Sequence, residues 1–243
     1  GSGAEVTKNA VIYINKTKYS VDHSKLLPDF YFFIPEIILG NKKILKATAG
    51  FDAIAQAVES LLSVKSNDKS VFYAKKSLAL SIKNYSNYFF KPNKVNSYNM
   101  CLAANLSGRA ISISKTTAPH ALSYPFTSLF GVSHGHAVSF TLSNLIKFNL
   151  MNLSQSKAKF SLKQRFEIIS RVANVPNILE FCKLIEKLKK VTNLHNNLNK
   201  FGVNMSKHYS KILSGINFER LNNNPVPLNK KQVKDILFQI NEI

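Results

Sequence analysis

The stretch KTTAPHALSYPFTSLFGVSHGHAV, residues 115–138, contains two histidines, His120 and His134, that are fourteen residues apart. Proline, glycine, serine and threonine are frequent around both of them. Imidazole is the commonest side-chain ligand for zinc, iron and related ions. Both histidines are therefore candidate metal ligands. The alternative is that each ring is a core or capping residue that is hydrogen-bonded to the backbone.

Upstream, GFDAIAQAVES at residues 50–60 has the apolar spacing of a helix and contains Asp52 and Gln56. Residues four apart lie one turn apart on the same helix face, so both side-chain oxygens can converge on one point. With two imidazoles they would form a mixed nitrogen and oxygen site, which suits Fe(II) or Zn(II). A pair of this kind is more often simply exposed.

Together these segments resemble the iron-containing (group III) alcohol dehydrogenases. Members of that family carry Asp-x-x-x-His and then two histidines fourteen residues apart, the second before a glycine. The resemblance implies that the metal ligands are Asp52, Gln56, His120 and His134. Gln56 stands where the family has a histidine, and with PHALSYP and HGHAV it is similar to the phosphonoacetaldehyde reductase, or hydroxyethylphosphonate dehydrogenase, branch. His136 is an alternative ligand or a supporting residue.

Two further residues near His120 are candidates for catalysis. Tyr124 stands where many members of the family carry a histidine that does not bind the metal. Its phenol could relay a proton to an alkoxide, or it could be a structural aromatic residue. Lys115 is the preferred cation for binding a phosphonate, ahead of Arg109, although in a chain with 33 basic residues a surface position is the common one.

The first residues, GSGAEVT, resemble the glycine-rich turn at the end of the family's nucleotide-binding region. The alternative is that the initial Gly-Ser-Gly is a cloning remnant. The resemblance places Ser2, Asn9 and Lys18 at positions that contact the dinucleotide, while Lys18 could equally be an exposed hairpin lysine. We expect the chain to be a fragment that lacks most of the N-terminal α/β domain.

The predicted fold class is mainly α, with the helical C-terminal domain of the dehydroquinate synthase-like, group III alcohol dehydrogenase fold. Residues 1–45 are predicted to be a short strand-rich remnant of the nucleotide-binding α/β domain, with a hairpin formed by AVIYI and KYSV. PDFYFFIPE suits a buried strand, although a short buried helix has a similar pattern. Residues 46–243 are predicted to be the helical metal-binding domain, with Ser70 as the N-cap of its second helix.

Charge and cysteine content limit the other classes of protein. The net charge of +20 is typical of nucleic-acid binders, but the lysines are scattered among asparagines and no nucleic-acid-binding motif is recognised. No apolar run is long enough to span a bilayer. The two cysteines are far apart in sequence, so reduced thiols and a cytoplasmic location are expected.

The resemblance implies a metal-dependent, NAD(P)H-linked aldehyde reductase that acts on a small aldehyde or alcohol, with phosphonoacetaldehyde as a candidate substrate and 2-hydroxyethylphosphonate as its product. A homodimer is compatible with it. This fragment alone is expected to be inactive. Two alternatives stay open: a metal-binding remnant without catalysis, and a basic nucleic-acid-binding helical protein.

Overall fold

Two strands near the start of the chain form a hairpin, and helices follow it. The computed structural model describes residues 2–14 and 17–242. Strands β1 (Asn9–Ile14) and β2 (Thr17–Asp22) pair antiparallel, with Asn9 opposite Asp22. The predicted hairpin is therefore confirmed, while Asn15 and Lys16, between the two strands in sequence, lie outside the described residues.

Helices dominate the remainder of the described chain, which confirms the mainly α fold class. None of these helices is both long enough and apolar enough to cross a bilayer. The α-helices are α1 (Pro35–Leu39), α2 (Lys43–Leu62), α3 (Asp68–Phe90), α4 (Lys94–Ser114), α5 (Ala118–Phe130), α6 (His134–Ser139), α7 (Leu142–Met151), α8 (Leu162–Val172), α9 (Ile178–Val191), α10 (Met205–Ser214), α11 (Phe218–Leu221) and α12 (Lys230–Phe238).

Helix α2 runs through the interior, and all but one of residues 46–62 are buried. The helices around it approach closely at Gly50, where an added Cβ would lie 2.6 Å from the ring of Tyr85. The Tyr85 hydroxyl donates a hydrogen bond to the Ala47 carbonyl at 2.8 Å. Since buried polar groups are almost always hydrogen-bonded, the polar side chains of α2 must find partners inside the protein.

Helix α3 begins with a capping box formed by Asn67 and Ser70. The Asn67 side chain accepts a hydrogen bond from the Ser70 amide, and the Ser70 hydroxyl accepts one from the Asn67 amide. Asn67 is thus the N-cap, and the prediction that Ser70 holds this position is wrong. Both residue types can cap a helix, and Ser70 instead closes the reciprocal bond from the third helical position.

The apolar segment PDFYFFIPE does not form the predicted buried strand. Residues 28–34 have no regular secondary structure, and helix α1 begins at Pro35. The side chains of Phe30 and Phe32 are each 84% exposed. A strand that is buried on both faces needs neighbouring strands and covering layers. Within residues 2–14 and 17–242 the hairpin is the only sheet, so this segment has no strand beside it.

This exposure predicts that the double substitution Phe30→Ser, Phe32→Ser changes the free energy of unfolding by no more than about 0.5 kcal/mol, as is usual for surface positions. Phe126→Ala, at a fully buried phenylalanine, should cost about 3–5 kcal/mol. Urea unfolding of the two variants beside the wild type checks both values. A large loss in the double variant would show that this segment is buried after all.

Candidate metal centre

Three side chains that are distant in sequence converge on one point. Asp52 comes from the middle of α2, His120 from the first turn of α5, and His134 is the first residue of α6. One candidate ligand atom from each residue lies within 4.8 Å of the other two. The Asp52 Oδ1 atom is 3.3 Å from His120 Nε2 and 3.9 Å from His134 Nε2.

These residues fit a divalent metal ion. Asp52 Oδ1 and His120 Nε2 are buried, and neither makes a hydrogen bond with any described residue. Other buried side-chain atoms of the described residues also lack a hydrogen-bond partner, but this pair is a carboxylate oxygen and an imidazole nitrogen 3.3 Å apart, which one shared cation would satisfy. Two ligand atoms bound to one tetrahedral ion at about 2.1 Å are about 3.4 Å apart, close to the separation of these two atoms. One carboxylate and two imidazoles form a donor set that suits Fe(II) or Zn(II).

Charges within the cluster shift the pKa values of its members. Burial disfavours the charged form of Asp52, but contact with His120 and the charge of His134 hold the pKa of that carboxyl below its ordinary value. Burial likewise disfavours the cation of His120, yet Glu59 and Asp52 raise its pKa to about 10. In the protein without metal, His120 is therefore a cation between two carboxylates, and its Nε2 atom forms an ion pair with Asp52 Oδ1 at 3.3 Å without hydrogen-bond geometry.

The structure adds Glu59, which the sequence analysis did not single out. Its Oε1 atom is in short contact with His120 Nδ1, and its side chain is almost fully buried. Its Oε2 atom accepts hydrogen bonds from the Thr117 amide at 2.7 Å and the Thr117 hydroxyl at 3.1 Å. Glu59 follows Asp52 by seven positions, which puts the two carboxylates on one face of α2.

Gln56 lies beside Asp52 in the same row of α2. Its Nε2 atom donates a hydrogen bond to Asp52 Oδ2 at 2.9 Å, and its Oε1 atom accepts one from the Ser107 hydroxyl at 2.8 Å. The Ser107 hydroxyl also lies 2.9 Å from the Ala104 carbonyl oxygen. The Gln56 amide thus reaches the cluster with its nitrogen turned toward Asp52.

Tyr124 lies next to the predicted ligand His134. The two rings are parallel within 3°, with their centroids 6.0 Å apart. The Tyr124 hydroxyl accepts a hydrogen bond from Arg220 Nη1 at 2.9 Å. Burial raises the pKa of Tyr124 above its ordinary value, so the phenol stays protonated at neutral pH.

His136 lies outside the cluster, although it follows His134 by two residues. Its Nε2 atom is 2.8 Å from the His195 carbonyl oxygen, and its ring contacts Phe140 and Phe201. Burial lowers its pKa to about 4, so the ring is neutral and donates to that carbonyl. The contacts of His136 are those of a structural histidine.

The two candidate phosphonate-binding cations have partners elsewhere. The Lys115 ammonium forms an ion pair with Asp22 of the hairpin at 2.8 Å, and both side chains are partly exposed. Arg109 donates a hydrogen bond to the Tyr31 hydroxyl at 2.7 Å. Lys115 therefore joins the end of α4 to the hairpin.

A cavity of about 390 Å³ opens beside the cluster, and its lining includes Asp52, His134 and Ser2. Ser2, a predicted cofactor contact, thus shares a cavity with two predicted metal ligands. Asn9 begins strand β1 and is exposed. The side chain of Lys18 lies outside the described part of the chain, and only its place in β2, opposite Tyr13, is described.

Sequence comparison finds relatives among characterised enzymes. The phosphonoacetaldehyde reductase of Streptomyces viridochromogenes is 30% identical over 152 residues, which is 61% of this chain and 38% of that enzyme. The bifunctional aldehyde-alcohol dehydrogenase of Escherichia coli K12 is 28% identical over 184 residues, which is 74% of this chain and 20% of that protein. The matched region is therefore well under half the length of each relative.

Solved structures share the fold. The NAD+ complex of sulfoacetaldehyde reductase from Bifidobacterium kashiwanohense superposes with a TM-score of 0.88 at 22% identity, over 99% of this chain and 62% of that one. The iron-containing alcohol dehydrogenase of Thermococcus thioreducens superposes with a TM-score of 0.87 at 17% identity, over 100% of this chain and 62% of that one. The model of the Fe-containing alcohol dehydrogenase family, C-terminal part, matches residues 46–240. This chain belongs to the iron-containing alcohol dehydrogenase family.

Proposed function

We propose that this chain is the metal-binding part of an NAD(P)H-dependent aldehyde reductase. The observation that carries the proposal is the pair of buried, unsatisfied atoms, Asp52 Oδ1 and His120 Nε2, which face each other beside His134 and an open cavity. A bound divalent ion supplies Lewis acidity for a carbonyl oxygen, and a reduced nicotinamide supplies the hydride.

Asp52, His120 and His134 are proposed to hold the ion, with the Gln56 amide oxygen as a fourth ligand. A half-turn of the Gln56 amide exchanges its two polar atoms. The nitrogen then donates to the Ser107 hydroxyl, which has one proton and can give it to the Ala104 carbonyl already 2.9 Å away. In this exchanged arrangement the Gln56 oxygen faces Asp52. If a cation lies between these two residues, the polar atoms of Gln56, Asp52 and Ser107 that meet here all have partners.

We therefore expect Gln56→His to bind Zn(II) more tightly than the wild type, because imidazole is a better ligand than an amide oxygen for a borderline ion. Gln56→Leu should bind it about tenfold more weakly, or worse. Competition with a chromophoric chelator measures both affinities. If both substitutions weaken binding, position 56 only supports Asp52 and is not a ligand.

Tyr124 is the proposed proton donor to the product oxygen. Its phenol stays protonated because it is buried, and its ring lies parallel to the ring of His134, with the two centroids 6.0 Å apart. The hydrogen bond that Arg220 Nη1 donates to the phenol oxygen, at 2.9 Å, fixes the position of that oxygen. This arrangement supports a general acid at position 124.

Phosphonoacetaldehyde is the proposed substrate, and 2-hydroxyethylphosphonate the product. The name of the Streptomyces viridochromogenes relative supports this choice. Lys115 is the proposed partner of the phosphonate group. Its ion pair with Asp22 is partly exposed, and such pairs contribute about 0–1 kcal/mol, so a dianionic substrate could replace the carboxylate at little cost.

Residues 1–45 are proposed to belong to the nucleotide-binding part of the enzyme, and residues 46–243 to the metal-binding part. Support comes from the apolar side chains that the first part leaves exposed, Phe30 and Phe32 above all. Ser2, Asn9 and Lys18 are the proposed dinucleotide contacts. Ser2 lines the same cavity as Asp52 and His134, which is where a residue near the nicotinamide is expected.

Two measurements test this function. Elemental analysis of anaerobically purified protein should find iron or zinc close to one ion per chain. The chain joined to the part of the Streptomyces viridochromogenes relative that it does not match should then oxidise NADH or NADPH in the presence of phosphonoacetaldehyde. If the joined protein binds a metal ion and reduces no aldehyde, the proposed activity is wrong.

A further inference from the structure

The carboxylate of Glu59 has a fixed orientation inside the protein. One oxygen, Oε2, accepts two hydrogen bonds from Thr117, one from its backbone amide and one from its hydroxyl. The other oxygen, Oε1, is thereby held against His120 Nδ1. The Glu59 side chain is 1% exposed and the His120 side chain 5%, so water does not compete for either group.

A carboxylate can only accept hydrogen bonds, so the ring atom opposite Oε1 must donate. This places a proton on His120 Nδ1. The other ring nitrogen, Nε2, lies 3.3 Å from Asp52 Oδ1 and has no hydrogen-bond partner among the described residues. Without metal, His120 is a cation with a proton on each ring nitrogen. When an ion displaces the Nε2 proton, a ring that keeps its proton on Nδ1 offers its lone pair only from Nε2.

We propose that Glu59 is a positioning residue that keeps the His120 ring proton on Nδ1 and thereby directs the Nε2 lone pair to the ion beside Asp52. This inference rests on the proposed metal centre and concerns how that centre is held. Outer partners of this kind fix the orientation and the tautomer of a histidine ligand. Thr117 contributes indirectly, because its two hydrogen bonds fix the orientation of the Glu59 carboxylate.

The variant Glu59→Gln tests this directly. Thr117 presents two hydrogen-bond donors to the position that Glu59 Oε2 occupies in the wild type. The side-chain oxygen of the introduced glutamine must take this position because it can accept both bonds, so the side-chain nitrogen faces His120 Nδ1. That nitrogen donates, so the ring proton is forced to Nε2, where it blocks the ion. We expect Glu59→Gln to lower the Zn(II) affinity about 10- to 100-fold in competition with a chelator.

The visible absorption of bound Co(II) gives a second readout. At saturating Co(II), a variant that is merely less stable keeps the wild-type spectrum, whereas a changed position of the His120 ring alters it. Ser60→Ala is the matched control, because Ser60 is buried on the same helix and bonds to Ser114 instead of to a ligand. It should keep the wild-type affinity and spectrum.

The outcomes separate this inference from the proposed function. If the wild type binds no Zn(II), both are overturned. If the wild type and Glu59→Gln bind Zn(II) equally and give the same Co(II) spectrum, the metal centre stands and the role of Glu59 is overturned. If Glu59→Gln fails to fold, Thr117→Val is tested in its place. This variant removes the hydroxyl donor to Glu59 Oε2, so a smaller loss of Zn(II) affinity is expected. Wild-type affinity in Thr117→Val would then overturn the inference.

Discussion

His120→Ala is expected to abolish stoichiometric metal binding and also to destabilise the protein without metal by about 3–5 kcal/mol. In the wild type, His120 is a buried cation between Asp52 and Glu59. Removing it leaves two carboxylates, 4% and 1% exposed, without their cation. For a chain of this length the loss corresponds to a fall in Tm of about 6–20 °C, which differential scanning calorimetry in the presence of a chelator measures.

His134→Ala is the informative partner of this variant. The His134 side chain is 39% exposed and its Nε2 atom is 3.9 Å from Asp52 Oδ1, so its contribution without metal should be under about 1 kcal/mol. It should lose the metal as completely as His120→Ala does, while its Tm without metal stays near that of the wild type. Stoichiometric zinc in His134→Ala would show that the cluster is not the metal centre.

The helices could be predicted from sequence because their apolar spacing is local and strong. The segment from Gly50 to Ser60, whose apolar spacing predicts a helix, lies within α2. The failure at PDFYFFIPE has a different origin. Apolar content predicts burial, but whether a segment is buried depends on neighbours that the described chain does not place beside Phe30 and Phe32.

Some residues of the candidate site could be predicted from the sequence and others could not. Asp52, His120 and His134 could be proposed because their residue types and spacing resemble a known family, and the structure places all three together. Glu59 was passed over because a single glutamate on a helix is ordinarily exposed. Only the burial of nearly all of α2 shows that this carboxylate needs a partner, and burial is a property of the folded chain.

Gly135→Ala is expected to be the most damaging conservative substitution near the site. A Cβ atom at position 135 would lie 2.0 Å from the Thr48 carbonyl oxygen and 3.2 Å from Asp52 Cβ. The Thr48 oxygen belongs to the backbone of α2 and cannot turn away, so α6 must move by about 1 Å or more to restore a normal contact. Overpacking of this kind costs about 1–3 kcal/mol.

The same shift would move His134, the neighbouring residue, away from Asp52. Metal sites tolerate displacements of only about 0.2 Å in ligand distance, so Gly135→Ala should lose zinc even below its melting temperature. Gly40→Ala is the control, since an added Cβ there meets nothing within 4 Å and φ is −78°. It should match the wild type in both Tm and zinc content. Wild-type zinc affinity in Gly135→Ala would mean that the contact of α6 with α2 does not set the position of His134.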